Sequence, residues 1–423
     1  MKVAVIGGGI SGLTAAERLA SEADVTLFEH ANKLGGHADT QYIEVEAKAG
    51  GKKKIAVDTG FIVFNPENYP TFYGLLQKYQ VPYKDSDMSF AVSNKLTGLE
   101  YNAGTLNGLF SQRKNIVSPK FYRMLRDIFR FYREAGELLE PSSEQGDITL
   151  GDYLRKNGYS QQFIDEHILP MSCALWSGDS QVILDFPARY LVAFMNNHQM
   201  MQAFNRPIWK TIQGGSKAYV EAIASNAGFQ VKLGCPISKV IRNHEKVWLH
   251  TAEGKQEFDY VIFACHSDQA LKMIEGASEA EHQILGAIRY QENQITLHSD
   301  TSLLPSKKRA WASWNVIIDE KTRQECTVSY YMNLLQSLDT PTPVIVSLNM
   351  SERVNPELVW KEVTYHHPVY TQATIDAQQN KHQIQGKHRS YYCGAYWGWG
   401  FHEDGARSGL EAAEQLLKDS GYA

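Results

Sequence analysis

Apolar and polar positions fall into blocks that give the two ends of the chain the same rhythm of strand, glycines and helix. Val3 to Ile6 is an uninterrupted apolar run of the kind buried on both faces of a sheet, and it flows into Gly7-Gly8-Gly9-Ile10-Ser11-Gly12. Leu13 to Ala20 is rich in Ala and Leu and is predicted to be helical, and Val25 to Phe28 is a second apolar strand ending at Glu29. Near the other end, Tyr391 to Ala395 reads as a short buried strand, followed by a loop rich in aromatics and glycine. A helix is predicted from about Ala406, with Leu410, Ala413, Leu416 and Leu417 on one face. Phe229 to Val240 and Phe258 to Cys265 are further predicted strands. Residues 120–133 predict a helix with Phe121, Leu125, Ile128 and Tyr132 on one side and Lys120, Arg123, Arg126, Arg130 and Arg133 on the other.

The length of 423 residues predicts two connected domains. A net charge of −5 offers no general attraction to nucleic acid, so no nucleic-acid partner is expected. Cys173, Cys235, Cys265, Cys326 and Cys393 are odd in number, far apart and without a C-x-x-C pair. That disfavours a disulfide framework and a zinc site, and a reducing cytoplasm fits best. His366-His367 lack correctly spaced partners, so no metal is expected. The opening Met-Lys-Val-Ala-Val-Ile is too short for a signal core, and no apolar run is long enough to span a membrane.

The N-terminal block satisfies G-x-G-x-x-G in its proper setting of strand, turn, helix and strand. Gly7 permits the tight turn, Gly9 lets a pyrophosphate approach the backbone, and Gly12 lets helix and strand pack closely. Ile10 and Ser11 open the helix, whose free N–H groups and positive dipole end suit phosphate. Glu29 is placed to accept hydrogen bonds from an adenosine ribose and would repel a 2′-phosphate. This block by itself does not separate FAD from NAD.

Three more segments do. Lys33-Leu34-Gly35-Gly36-His37-Ala38-Asp39-Thr40, Val57-Asp58-Thr59-Gly60-Phe61 and the run from Tyr391 to Gly405 together resemble the flavin-containing amine oxidase and phytoene desaturase superfamily. The resemblance implies an α/β fold in which a Rossmann-like FAD-binding domain of the two-dinucleotide-binding type carries a discontinuous α+β substrate domain. It implies that Gly35 and Gly36 contact the FAD pyrophosphate and ribityl chain. His37 stands where the family usually has Arg, so a hydrogen bond is expected there in place of an ionic contact. Thr59, Gly60 and Phe61 would lie near the isoalloxazine, Gly394 near the pyrophosphate, and His402, Glu403, Asp404 and Gly405 near the ribityl chain or ring. Ile237 and Ala264 would approach the adenine or pyrophosphate. The strings Ser313-Trp314-Asn315, Tyr330 to Gln336, His367 to Tyr370 and Gly400 to Gly405 resemble a bacterial group of NAD/FAD-binding proteins associated with cyclopropane fatty acid synthases, which hints at a lipid substrate.

The expected partition is 1–65, 205–275 and 386–423 for the FAD-binding domain, and 66–204 with 276–385 for the substrate domain. FAD is the expected cofactor, and the expected activity is oxidation or reduction of a C–N or C–C bond in a hydrophobic amine, polyene or fatty acyl compound. An NAD-dependent dehydrogenase and a non-catalytic FAD-binding protein are the alternatives. The flavin carries the redox step, so no protein nucleophile is required. His402, Tyr396 and Trp399 are candidates beside the reacting centre, and Trp176, Trp311, Trp314 and Trp397 are further candidates to line the cavity. A cytoplasmic location is expected, with 120–133 as a candidate peripheral membrane contact.

Overall fold

Odd and even residues of the first strand enter different cores, as the period of two requires when a strand is buried on both faces. The computed structural model describes residues 1–140, 148–176, 180–202, 206–322 and 327–421. Val3 and Val5 join Val25, Leu27, Ile262 and Tyr391 on one side, whereas Ala4 and Ile6 join Phe28, Val261, Phe263 and Tyr392 on the other. The sheet between these cores has five parallel strands in the order Gln230–Lys232, Asp24–Phe28, Lys2–Ile6, Tyr260–Phe263, Ser390–Tyr392.

Helices Ile10–Leu19, Pro70–Lys78, Lys217–Asn226 and His402–Asp419 cover the first face. The second carries an antiparallel sheet of Lys239–Arg242, Val247–Thr251 and Gly254–Phe258, with helices Ser267–Met273 and Glu279–Gly286. A buried Arg242–Glu281 pair, completed by the Tyr392 hydroxyl, fastens that layer to the last strand of the parallel sheet.

A second body is built on a seven-stranded mixed sheet ordered Val359–Val369, Arg289–His298, Ile345–Leu348, Val328–Tyr331, Trp314–Ile318, Phe90–Asn94, Leu99–Asn102. Helices between residues 106 and 199 form its outer layer around Phe121, Phe131, Phe163 and Phe194. The two bodies are joined at Asp58, whose carboxylate accepts hydrogen bonds from Ser216, Thr40 and Gln336. Burial raises this carboxyl to about 6 despite those donors.

All five strands of the parallel sheet come from the three segments expected to bind FAD, but other segments share their cores. Phe72, Leu75 and Leu76 pack on the first face, and Ile284, Leu285, Ala377 and Ile384 on the second. The boundary expected at 204/205 lies outside the described residues.

Other expectations need correction. The last helix begins at His402, four residues before the predicted start, because the Asp404 carboxylate accepts from the Phe401 and Trp399 N–H groups and closes its first turn. Helix Pro119–Glu134 turns Phe121, Met124, Asp127, Ile128 and Phe131 inward, leaving Leu125 and Tyr132 only partly buried. Arg130, expected on the solvated side, lies 3.8 Å over the Tyr159 ring and pairs with Asp127 and Glu134. Cys173 is disulfide-bonded, although the cysteine pattern disfavours a disulfide framework; Cys235, Cys265 and Cys393 are free. Among the described residues no helix is long and apolar enough to cross a membrane, and no cluster of His, Cys, Asp or Glu is arranged to hold a metal ion.

Candidate flavin site

The glycine fingerprint turns as tightly as its spacing demands. Gly7 has φ +113°, and a Cβ there would fall 2.7 Å from the Ala264 oxygen, while one on Gly12 would fall 1.9 Å from the Gly7 oxygen. Ala264 is thus at the turn, whereas Ile237 lies in the core beyond the sheet. Gly9 is different: it has φ −74°, and a Cβ would meet nothing within 4 Å. No packing requires glycine at that position, so the space over it is free for a ligand that must touch the backbone.

Helix Ile10–Leu19, which Gly9 opens, has no side-chain cap and no acidic residue in its first turn. Its N–H groups and dipole are therefore unopposed, the arrangement that binds phosphate. Glu29 closes the far side; its carboxylate accepts from the Gly8 and Ala31 N–H groups at 2.7 and 2.9 Å. Gly35 donates its N–H to the Gly8 oxygen at 2.9 Å, and a Cβ on Gly36 would sit 3.3 Å from the Gly9 Cα, so the second glycine pair lies against the first turn.

The C-terminal element meets this turn from the opposite end of the chain. A Cβ on Gly405 would lie 2.7 Å from the Ile10 side chain and 3.1 Å from Ser11 Oγ, and one on Gly409 would lie 2.2 Å from the Ser11 oxygen. Gly394 donates its N–H to Ser408 Oγ, holding the preceding strand end to the same helix. Between the two helix starts run Gly60 and Phe61. The Phe61 N–H donates to the His37 oxygen at 2.8 Å, and the Phe61 ring stacks on His402 at 3.7 Å.

The side chains named from the C-terminal motif are already engaged inside the protein. Glu403 accepts from the Thr71 and Phe72 N–H groups and so caps helix Pro70–Lys78. Asp404 closes its own helix and pairs with Arg407. His402 shares a 2.8 Å hydrogen bond with the Tyr219 hydroxyl, and burial, reinforced by His37, holds it neutral with a pKa well below the ordinary value. Thr59 likewise spends its hydroxyl on Tyr365 and the Asp39 oxygen. What the C-terminal motif leaves for a ligand is its backbone.

His37 behaves otherwise. Its ring is part-buried, its Nε2 is shielded from water without a partner, and it lies 4.8 Å from Tyr365, 5.4 Å from His367 and 6.2 Å from His266. Burial, followed by the neighbouring histidines, lowers His37 and His266 to about 4 and His367 to about 3. All three are neutral at physiological pH and supply hydrogen bonds without charge. An orphaned buried nitrogen costs on the order of 1–3 kcal/mol, which a ligand atom would recover. Together with the vacant approach over Gly9 and the uncapped helix, this fits a dinucleotide threaded between the two glycine-rich turns.

Sequence reasoning missed His266, Tyr365 and Tyr219, because each lies outside the motifs it singled out. It did weigh His366-His367, but only as metal ligands lacking correctly spaced partners. Adjacent strand positions face opposite ways, so His366 is half-exposed near Glu292 while His367 is part-buried and bonded to Asn293. Nor do the expected aromatics line one cavity. Trp176, Trp399 and Phe401 join the helical layer, Tyr396 and Trp397 pack beneath the parallel sheet, Trp314 joins the core of the seven-stranded sheet, and Trp311 packs against Tyr331.

Comparison with known proteins agrees with this geometry. The chain matches the family described as flavin containing amine oxidoreductase over residues 10–293. It is 28% identical over 191 residues to a 4,4'-diapophytoene desaturase (4,4'-diaponeurosporene-forming) of Staphylococcus aureus strain MRSA252, covering 40% of this chain and 35% of that one. The chain thus spans about a third of the length of the curated relatives it matches. Among solved structures, cyclohexylamine oxidase from Brevibacterium oxydans IH-35A aligns with a TM-score of 0.71 at 15% identity, covering 99% of both chains. A CLA-producing fatty acid isomerase from P. acnes aligns with a TM-score of 0.69 at 14% identity, covering 98% of both. These structures share the α/β fold with its Rossmann-like parallel sheet. With the matched segment covering more than half of its residues, the chain belongs to the flavin containing amine oxidoreductase family.

Proposed function

We propose that the protein is an FAD-dependent oxidoreductase acting at a C–N or C–C bond of a hydrophobic substrate. The observation that carries this reading is the seating of Gly405 and Gly409 on Ile10 and Ser11, which brings two helix starts together. The family match ends at residue 293, so this packing supports the reading independently of it. An NAD-dependent dehydrogenase with a single nucleotide unit would leave the second helix start without a ligand.

The Gly9, Ile10 and Ser11 N–H groups would hold the pyrophosphate, Glu29 the adenosine ribose, and Gly35, Gly36 and His37 the chain beyond it. Gly60, Phe61 and the backbone of 402–405 would border the ring. When bound, FAD supplies hydride or electron transfer, so the chain's own work is to orient the substrate and exclude water. His402, pinned by Tyr219 and Phe61 and held neutral, acts as a rigid hydrogen-bonding wall and does not carry protons. Trp176, Phe194, Trp399 and Phe401 pack together beside the C-terminal loop and favour an apolar substrate. The relatives' names include a diapophytoene desaturase and a cyclohexylamine oxidase, which keeps both a polyene or acyl lipid and a hydrophobic amine in view.

The test is spectroscopic. The purified protein, or protein reconstituted with FAD, should show the bound-flavin absorbance bands, with FMN and NAD failing to compete. Absence of any flavin binding would refute the proposal. Anaerobic bleaching by amines alone would reject the lipid branch, and bleaching by unsaturated acyl lipids alone would reject the amine branch.

A further inference from the structure

Residues 103–126 contain five basic side chains, Arg113, Lys114, Lys120, Arg123 and Arg126, and no acidic one, in a chain whose net charge is −5. All five are exposed. Lys114, Lys120 and Arg123 have no acidic partner among the described residues; Arg113 binds the Phe110 oxygen and Asn107, and Arg126 lies near the buried Asp127. A patch of unspent positive charge is therefore concentrated in one short segment.

Large apolar side chains stand out in the same place. Val117 is 80% exposed and Leu106 78%, the highest values among the large hydrophobics, and Ile116 and Tyr122 are about half exposed. Along helix Pro119–Glu134, Tyr122, Arg126, Phe129 and Arg133 follow one another at helical spacing and are all exposed, so the outward stripe alternates rings with guanidinium groups. The inward stripe of that helix is already filled by the core. Phe110 links the segments, with its ring 5.8 Å from Phe121 and 6.4 Å from Tyr122.

Exposed apolar groups of this size need a reason, because water disfavours them and nothing in the fold requires them to face it. Exposed apolar side chains interspersed with cations along one segment suit the boundary of an anionic bilayer, where the apolar groups enter the acyl region and the cations meet lipid phosphates. A polyanion such as nucleic acid would use the charges but gain nothing from Val117 and Leu106. We infer that residues 103–133 form a surface that docks the protein on an anionic phospholipid bilayer. The sequence reading had placed membrane contact on helix 120–133 alone; the structure shifts its centre toward Leu106, Val117 and the loop before the helix. This inference stands apart from the flavin reading and would survive its failure.

Vesicle sedimentation of the full chain tests it. Expected is binding to mixed phosphatidylglycerol and phosphatidylcholine vesicles, weakened by high salt, with at least about tenfold weaker partitioning to phosphatidylcholine alone. Lys120→Glu with Arg123→Glu should weaken binding to the anionic vesicles about tenfold or more. Leu106→Ser with Val117→Ser should do the same without changing the charge. These positions are exposed, so an unchanged unfolding transition verifies that the variants fold. Failure of the unaltered protein to bind anionic vesicles overturns the proposal. So does binding that is lost on charge reversal but indifferent to the Leu106 and Val117 changes, which would assign the patch to a soluble polyanion.

Discussion

Helix Ile10–Leu19 and helix His402–Asp419 both start from glycine-rich loops and lie against each other, yet they treat their first turns in opposite ways. The former has a glycine before it, no capping side chain and no acid in its first turn, whereas helices starting at Pro119, Leu150 and Glu279 are capped by Ser118, Thr149 and Ser278. The latter carries Glu403 and Asp404 in its first turn, and Asp404 is seated so closely that a Cβ on Gly398 would fall 2.0 Å from its Oδ1. An unopposed dipole suits the charge of a pyrophosphate; a start that already holds two acids suits a neutral polar edge. On the proposed function, the same local pattern of glycines and helix would serve two different ends of one ligand.

The contrast can be broken most forcefully where the two helices touch. Gly409→Leu would drive a side chain into the Ser11 backbone, so it should cost more than about 3 kcal/mol and abolish flavin retention, read by urea unfolding and absorbance. Gly9→Ala sharpens the comparison, because the space there is open. Stability without ligand should stay within about 0.5 kcal/mol, while FAD affinity falls about tenfold or more, measured by fluorescence titration. Unchanged affinity would remove the phosphate role of that turn.

Asp404→Ala addresses the capped start. Loss of the two backbone bonds and the Arg407 pair should destabilise the protein by about 1–2 kcal/mol. Asp404→Asn should recover part of this, since an amide oxygen still accepts.

A pH dependence follows from the neutral histidines between the two starts. Their folded pKa values of about 4, 4 and 3 lie below the ordinary 6.5, so as pH falls from 6.5 the unfolded chain takes up protons first and stability drops until about pH 4. Asp58 acts the other way, since a carboxyl at about 6 in the fold gains stability on acidification between 6 and 3.8, as do the raised Glu403 and Asp404, but His167, His198, His298 and His402 are lowered as well and the histidines outnumber the carboxyls. Thermal scans of the ligand-free protein should show a Tm lower by a few degrees at pH 5 than at pH 7, and His367→Asn should reduce that difference.

What was legible in the sequence was short-ranged. The strand, glycine turn and helix at residues 2–19 depend on contacts within one another, so spacing and residue type determine them, and Gly7, Gly12 and Glu29 stand where such spacing requires. The second strand, loop and helix near the C-terminus were equally visible, apart from a helix start displaced by the Asp404 cap, whose effect depends on side-chain geometry that a periodicity does not record. Tertiary structure alone decided that Gly405 would rest on Ile10, that Glu403 would cap a helix at residue 70, and that His37, His266 and His367 would meet in one part-buried cluster. Residues so far apart in the chain share no local conformational preference. They are brought together by burial of the sheet faces, and the chemistry of each side chain follows from the neighbours that burial supplies.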